Sequence, residues 1–142
     1  MKRISVVIPT FNEDKGLEGF LEQFDRQTLP RELFELIIVD GNSTDKTRDI
    51  AKAYADKVIL QKSEGIGGAR NDGVLAAEAP IVATTDADVR LPRFWLERIL
   101  EDFRDLSVVA VCGPDGPMEE TAKSRLVFFL LKNIPEELIL GN

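Results

Sequence analysis

Ile81-Val82-Ala83-Thr84-Thr85-Asp86-Ala87-Asp88 is a short apolar run that ends in two carboxylates one residue apart. A run of this length, rich in β-branched residues, suits a buried strand. In an extended chain side chains repeat every second residue, so Asp86 and Asp88 are expected to point the same way. Two like charges about 6 Å apart repel by roughly 3 kcal/mol at an effective dielectric constant of about 20. A protein tolerates such a pair where a divalent cation with oxygen ligands sits between the carboxylates. The plain alternative is a pair of solvated acids opening the next helix, where negative charge suits the N-terminal dipole.

The same figure, an apolar run leading into a polar or glycine-rich loop, recurs along the chain. Residues 4–9 read as a buried strand followed by Thr10, Asn12 and Glu13. Residues 35–39 read as a second, followed by Asp40-Gly41-Asn42-Ser43-Thr44-Asp45. Residues 57–60 lead into Ser63-Glu64-Gly65-Ile66-Gly67-Gly68-Ala69-Arg70-Asn71, and a fifth strand is expected over residues 107–111. Helical patterns lie between them. Leu17, Phe20, Leu21 and Phe24 form a stripe across residues 14–26. Ile50, Ala51, Tyr54 and Ala55 follow Ser43 or Thr44 as N-cap, with Asp45 in the first turn. Residues 68–78 are alanine-rich, and Pro92 is placed to start a helix striped by Leu96, Ile99, Leu100 and Phe103. Alternating strand and helix predicts an α/β fold, an open, mostly parallel sheet with helices on both faces. In such sheets ligands bind beyond the carboxyl ends of the strands. Chain order therefore gathers Glu13, Asp40, Arg70, Asp86 and Asp88 along one edge.

Composition narrows the function. The 142 residues suit one domain, with no linker, repeat or low-complexity tract. A formal net charge of −7 disfavours a nucleic-acid partner, whose phosphates need clustered Lys and Arg. With no histidine, Ser-His-Asp and Cys-His chemistry and His-ligated metals are excluded. The single Cys112 sits in an apolar run, rules out an internal disulfide, and is expected to be a buried, inert thiol in a reducing compartment. Met1-Lys2-Arg3 leads straight into a strand rather than a secretory apolar region, so the expected location is cytoplasmic.

Four segments together carry a family resemblance: Val6-Val7-Ile8-Pro9-Thr10-Phe11-Asn12-Glu13, Ile38-Val39-Asp40-Gly41-Asn42-Ser43-Thr44-Asp45, Ala69-Arg70-Asn71-Asp72-Gly73 and Asp86-Ala87-Asp88. In this order and spacing, from Val6 to about Gly113, the chain resembles the N-terminal, nucleotide-sugar-binding part of a family 2 glycosyltransferase of the Rossmann-like GT-A fold. The resemblance implies transfer of a sugar from a nucleotide-diphosphate donor to an acceptor hydroxyl or lipid phosphate, with magnesium or manganese and by inversion. It implies that Pro9, Thr10, Asn12 and Glu13 line the nucleoside, and that Asp40, with Asn42 in the same loop, meets the base edge. Arg70, supported by Asn71, would lie near the ribose or diphosphate. Asp86 would hold the ribose or bridge to the metal, and Asp88 would be the direct metal ligand. The glycines Gly65, Gly67 and Gly68 would let backbone approach the ligand closely.

The chain departs from the family pattern at Gly41, where a second aspartate is frequent, at Ser63, where asparagine is, and at Val89, where a further acid is. No catalytic base is recognisable before Asn142; Asp115, Glu119 and Glu120 are near enough in sequence to be tested. The part supplying the acceptor pocket is expected to lie beyond these residues. Leu126-Val127-Phe128-Phe129-Leu130-Leu131 is far too short to cross a bilayer, which takes about 20 residues. It reads as a packing helix, or alternatively as an interfacial one at the cytoplasmic face of a membrane carrying a lipid-linked acceptor. Three rivals are a non-catalytic nucleotide-binding module or fragment, a dinucleotide oxidoreductase using Gly65-x-Gly67, and a phosphatase opening on Asp86-x-Asp88. Against the oxidoreductase, Arg70 occupies the third glycine position.

Overall fold

All seven residues of β1, Ile4–Thr10, are buried, and this strand forms the middle of the sheet. The computed structural model of the protein describes residues 1–112. Asp115, Glu119, Glu120 and the apolar segment 126–131 lie outside the described residues. β2 (Phe34–Asp40), β3 (Lys57–Leu60) and β4 (Ile81–Thr84) complete a four-stranded sheet in the order β3-β2-β1-β4. Every pairing is parallel, as continuous Val/Ile runs buried on both faces require.

Alternation along β1 and β2 divides the core in two. Ile4, Val6, Ile8, Leu36 and Ile38 face α1 (Leu17–Leu21), α2 (Thr47–Tyr54) and α4 (Trp95–Asp102), which contribute Leu17, Phe20, Leu21, Ala51, Leu96 and Leu100. Val7, Ile37 and Val39 face α3 (Gly65–Ala76) through Ala69. Helices therefore cover both faces, as expected. The arrangement follows from right-handed crossovers: connections running from β1 to β2 to β3 use one face, and the return from β3 to β4 uses the other.

Several boundaries differ from the sequence-based expectation. The stripe over 14–26 is buried as predicted, but α-helix holds only for Leu17–Leu21, and Phe24 is carried on a 3-10 turn, Phe24–Arg26. There the Gln23 amide donates to Val89 O and accepts from Leu91 N–H, tying the helix end to the segment before α4. The helix after β2 starts later than a Ser43 or Thr44 cap would give. Lys46 is the N-cap and makes no side-chain cap bond; Asp45, one residue earlier, accepts from Thr47 N–H at 2.9 Å, while Thr44 N–H donates to Asn12 Oδ1. The expected strand at 107–111 is not one among the described residues: Asp105 holds Ser107 in a turn, and Val109 is 91% exposed. Cys112 is exposed rather than buried, because no strand carries it inward. The carboxylates are not on an extended segment either. β4 ends at Thr84, and Ala87 and Asp88 form a turn that buries Ala87 in the core with Leu96.

At the amino edge of the sheet a buried polar cluster fixes the α3–β4 connection. Ser5 Oγ donates to Glu35 Oε1 at 2.5 Å and accepts from Ala79 N–H, and Glu78 N–H also donates to Glu35. Lys57 Nζ reaches Glu35 at 3.1 Å and caps the α3 carbonyl of Ala76 at 2.9 Å. Burial pushes the Glu35 carboxyl up, but the bonds from Ser5, Glu78 N–H and Lys57 outweigh it and hold the group below its ordinary value.

The closeness of α3 to the sheet rests on Gly73, where an added Cβ would sit 2.2 Å from Val7 Cγ1 and 3.0 Å from Val39 Cγ2. Gly73→Ala is therefore expected to destabilise the chain by about 1–3 kcal/mol through overpacking. Alanine's better helix propensity, worth about 1 kcal/mol, works the other way and does not cancel it. Denaturant unfolding checks this, and an unchanged or raised midpoint would contradict the tight helix–sheet contact.

Candidate functional site

β1 pairs with β2 as far as Thr10↔Asp40 but with β4 only as far as Val7↔Thr84. Thr85 N–H still reaches Val7 O at 3.2 Å, after which the chain turns away. The last three residues of β1 thus have no strand on one side, and the sheet's connections reverse direction at that point. This is where open α/β sheets form ligand crevices. A cleft of about 450 Å³ lies there.

Each loop after a strand contributes a wall. From β1 come Pro9, Thr10, Phe11 and Glu13; from β4 come Asp86, Ala87 and Asp88. Gln61 enters after β3, and Gly65, Ile66 and Ala69 come from the first turns of α3. The α3 N-terminus has no side-chain cap, so its first N–H groups are available to a ligand.

Of the sequence-derived candidates, the cleft brings together Pro9, Thr10, Glu13, Asp86 and Asp88. Arg70 borders it, donating from Nη2 to Asp86 Oδ1 at 2.6 Å. Asp40, Asn12, Asn42 and Asn71 are not in its walls. Asn12 and Asn42 both adopt positive φ, 54° and 68°, a conformation asparagine tolerates better than most residues. Asn12 Oδ1 accepts from Thr44 N–H at 3.0 Å, and the Asn12 N–H donates to Ser43 Oγ at 2.9 Å. Glu13 N–H donates to Thr47 Oγ1 at 2.7 Å. These bonds lock the β1 and β2 loops together and set where Glu13 begins.

Asp40 is engaged inside the protein. Its side chain is fully buried, and its Oδ2 accepts from Arg48 at 2.7 and 3.0 Å and from Ser43 N–H at 3.2 Å. Burial pushes this carboxyl up, but the Ser43 and Arg48 bonds outweigh burial and hold it below the ordinary aspartate value. Arg48 escaped the sequence reading. Its only signal is position, eight residues after Asp40 and just inside α2, where it can reach back to the strand end. Asp72 is likewise structural, accepting from Lys62 N–H, Ser63 N–H and Ser63 Oγ. Gly68 serves the same packing, since a Cβ there would lie 2.7 Å from the Ser63 carbonyl carbon. Its missing side chain accommodates the loop rather than a ligand.

Among the described residues two buried side-chain atoms lack partners, Thr10 Oγ1 and Arg70 Nε, both at the cleft or its rim. Buried polar groups are nearly always hydrogen-bonded, so orphans here point to a ligand that completes them. Among the described residues no group of three His, Cys, Asp or Glu side chains forms a preassembled metal cage. The pair Asp86 and Asp88 in one wall fits a different kind of site. Magnesium-like ions use one or two carboxylates and take their remaining oxygens from water and phosphate. The acidic cleft suits a phosphate ligand only together with such a cation.

Comparison with known proteins follows this geometry. The family model described as Glycosyl transferase family 2 matches residues 5–138. Validoxylamine A glucosyltransferase of Streptomyces hygroscopicus subsp. limoneus is 38% identical over 103 residues, covering 68% of this chain and 23% of that one. The structure of S. aureus TarS 1-349 in complex with UDP superposes with a TM-score of 0.66 at 24% identity, over 89% of this chain and 44% of that one. The mannosyltransferase PcManGT from Pyrobaculum calidifontis, solved with GDP-Man and Mn2+, gives 0.56 at 31% identity, over 64% and 29%. The chain thus spans less than half of each of these proteins.

Because Asp40 is buried against Arg48, Arg48→Leu is expected to cost about 3 kcal/mol at neutral pH, the low end for a broken buried pair, since the guanidinium is itself 35% exposed. Asp40 in the native protein is depressed, so the pair's stabilisation is full above the unfolded value of about 3.9 and is lost as pH falls through the lower folded value. In the variant only the Ser43 bonds oppose burial, so Asp40 is held less low than in the native protein. The stability gap between the two proteins should therefore shrink on acidification, because Asp40 takes up its proton at a higher pH in the variant than in the native protein. A gap constant from pH 7 down to pH 3 would show that Arg48 does not compensate this carboxylate.

Proposed function

The chain belongs to glycosyl transferase family 2, and from that premise we propose that it is the donor-binding part of an enzyme using a nucleotide-diphosphate sugar and a divalent cation, magnesium or manganese. The observation that carries this reading is the cleft at the sheet's reversal point, where two carboxylates, an uncapped helix N-terminus and two orphaned polar atoms meet. Its GT-A architecture is shared with TarS. TarS and PcManGT were solved with UDP and GDP-Man, which supports a nucleotide donor here.

Within this reading Asp88, exposed in the cleft wall, is the direct ligand of the cation. Asp86 presents Oδ1 to Arg70 and keeps Oδ2 for the ribose or the cation. Arg70, held on Asp86 through Nη2, offers its guanidinium to the anionic diphosphate. Glu13 and Thr10 offer hydrogen-bonding oxygens to the ribose hydroxyls. The cation, when bound, neutralises charge on the departing diphosphate. Positioned donors matter most where charge grows in the transition state, and here that is the leaving diphosphate rather than the sugar.

We read the transfer as inverting, by direct displacement with an acceptor hydroxyl or lipid phosphate, in the reducing cytoplasm or at the cytoplasmic membrane face. Among the described residues no helix is long and apolar enough to cross a membrane. A second reading, nucleotide binding without transfer by these residues alone, is favoured by the share of its relatives' length that the chain spans.

Calorimetry with UDP and GDP should show binding that tightens about tenfold or more when Mn2+ is added, a gain of about 1.4 kcal/mol. Asp88→Ala should reduce the affinity with metal to the metal-free level and leave the metal-free affinity unchanged. Equal weakening in both conditions would remove Asp88 from the metal, and absence of nucleotide binding would remove the reading.

A further inference from the structure

Gln61 has its side-chain orientation settled by its neighbours. Nε2 donates to two carbonyls, Ser63 O at 2.6 Å and Gly65 O at 2.9 Å. Only the amide nitrogen can satisfy two acceptors, so the oxygen Oε1 must point the other way. It points to Gly41: a Cβ built on that glycine would lie 3.2 Å from Oε1, 3.3 Å from Thr10 O and 3.4 Å from Phe11 Cβ. Oε1 accepts no hydrogen bond among the described residues, although Gln61 lines the cleft. Gly41 is the position at which the chain departs from the two-aspartate pattern, and the neighbouring Asp40 carboxylate is consumed by Arg48. The space a side chain at 41 would fill is held by a neutral amide oxygen.

The strand order says which part of a ligand meets it. Gln61 and Gly41 follow β3 and β2, Asp86 and Asp88 follow β4, and β1 lies between. Oε1 sits at Gly41, beyond β2, so two strand spacings of about 4.8 Å separate it from the β4 acids, roughly 10 Å in all. With the carboxylates at the diphosphate, the nucleobase falls at the Gln61 end. Apolar Phe11 and Ile66, 61% and 58% exposed, also line the cleft, where a planar base can cover them.

We infer that Gln61 Oε1, seated in the space left by Gly41, is the acceptor that reads the nucleobase edge, and that it selects a base with a ring imide N–H, uracil N3–H or guanine N1–H. The inference rests on the nucleotide-sugar reading above. A neutral amide takes that proton without bringing a second buried charge beside Asp40, and its fixed orientation means little side-chain freedom is lost on binding.

The test compares UDP with N3-methyl-UDP and GDP with N1-methyl-GDP by calorimetry of the chain in Mn2+. The native chain should favour the unmethylated form of whichever nucleotide it binds by about fivefold or more, the worth of one neutral hydrogen bond. Gln61→Met, which keeps the length of the side chain and removes the acceptor, should bring that ratio close to one; Gln61→Ala is the alternative if the first variant folds poorly. General loosening of the 63–65 loop would weaken both ligands alike and leave the ratio standing. A native ratio of one, or a variant that keeps the native ratio, overturns the assignment of Gln61 while nucleotide binding persists. Failure of all four ligands to bind overturns it together with the reading on which it rests, and the two results are distinct.

Discussion

Unequal pairing of one central strand is the constraint on which the rest of this structure depends. β1 is held along its whole length by β2 and along only its first four residues by β4. Its outer three residues end without a neighbour on one side, and the loops from both strands must diverge there. Chain direction reverses at the same place, because α3 crosses the opposite face of the sheet from α1, α2 and α4. The cleft is therefore a consequence of topology. Its chemistry comes from whichever residues follow the strands.

The acids divide by whether the protein has already satisfied them. Asp40 is saturated by Arg48 and Ser43, Glu35 by Ser5, Lys57 and Glu78 N–H, Asp72 by the Ser63 loop, and Asp45 by Thr47 and Asp14 N–H. In all four, hydrogen bonds to the ionised form hold the carboxyl below its ordinary value. Such groups position loops, because a carboxylate with its lone pairs engaged has little left for a ligand. Asp88 is engaged by nothing described, and Asp86 only through one oxygen to Arg70. Among the described residues the buried side-chain atoms without a partner, Thr10 Oγ1 and Arg70 Nε, lie in or beside the same cleft. This distribution separates candidate binding residues from scaffold residues within motifs that look alike as strings.

The glycines make the same point about space. Gly68 and Gly73 are required by contacts inside the fold, with Ser63 and with Val7 and Val39. Gly65 has a φ of +71°, which starts α3 from a turn that a side chain would strain, while a Cβ at Gly67 would meet open space. Gly41 instead leaves room beside the cleft-lining Gln61, whose amide oxygen would lie 3.2 Å from a Cβ there. A loop rich in glycine is thus mostly a packing device here, although its helix end still faces the ligand site.

The fold class, four of its strands, both helical faces and the edge carrying the site were legible in the sequence. They depend on local periodicity and chain order: Val/Ile runs bury on both faces, and parallel strands place all their following loops on one side. The stripe Leu17, Phe20, Leu21 and Phe24 was legible for that reason even though its backbone is helical over only part of the length. Contacts between residues far apart in the chain were not legible, because no local pattern encodes which acceptor a donor meets. Asp40 against Arg48, Asn12 against Thr44, and Gln61 beside Gly41 were decided by the sheet order that brought their loops together. So was the turn at Ala87, where burial in the core overrode the extended path that alternation implied. The amino-acid sequence by itself determined which chemistry stands at the strand ends; only tertiary packing decided which of those groups were used up in holding the loops and which were left facing a ligand.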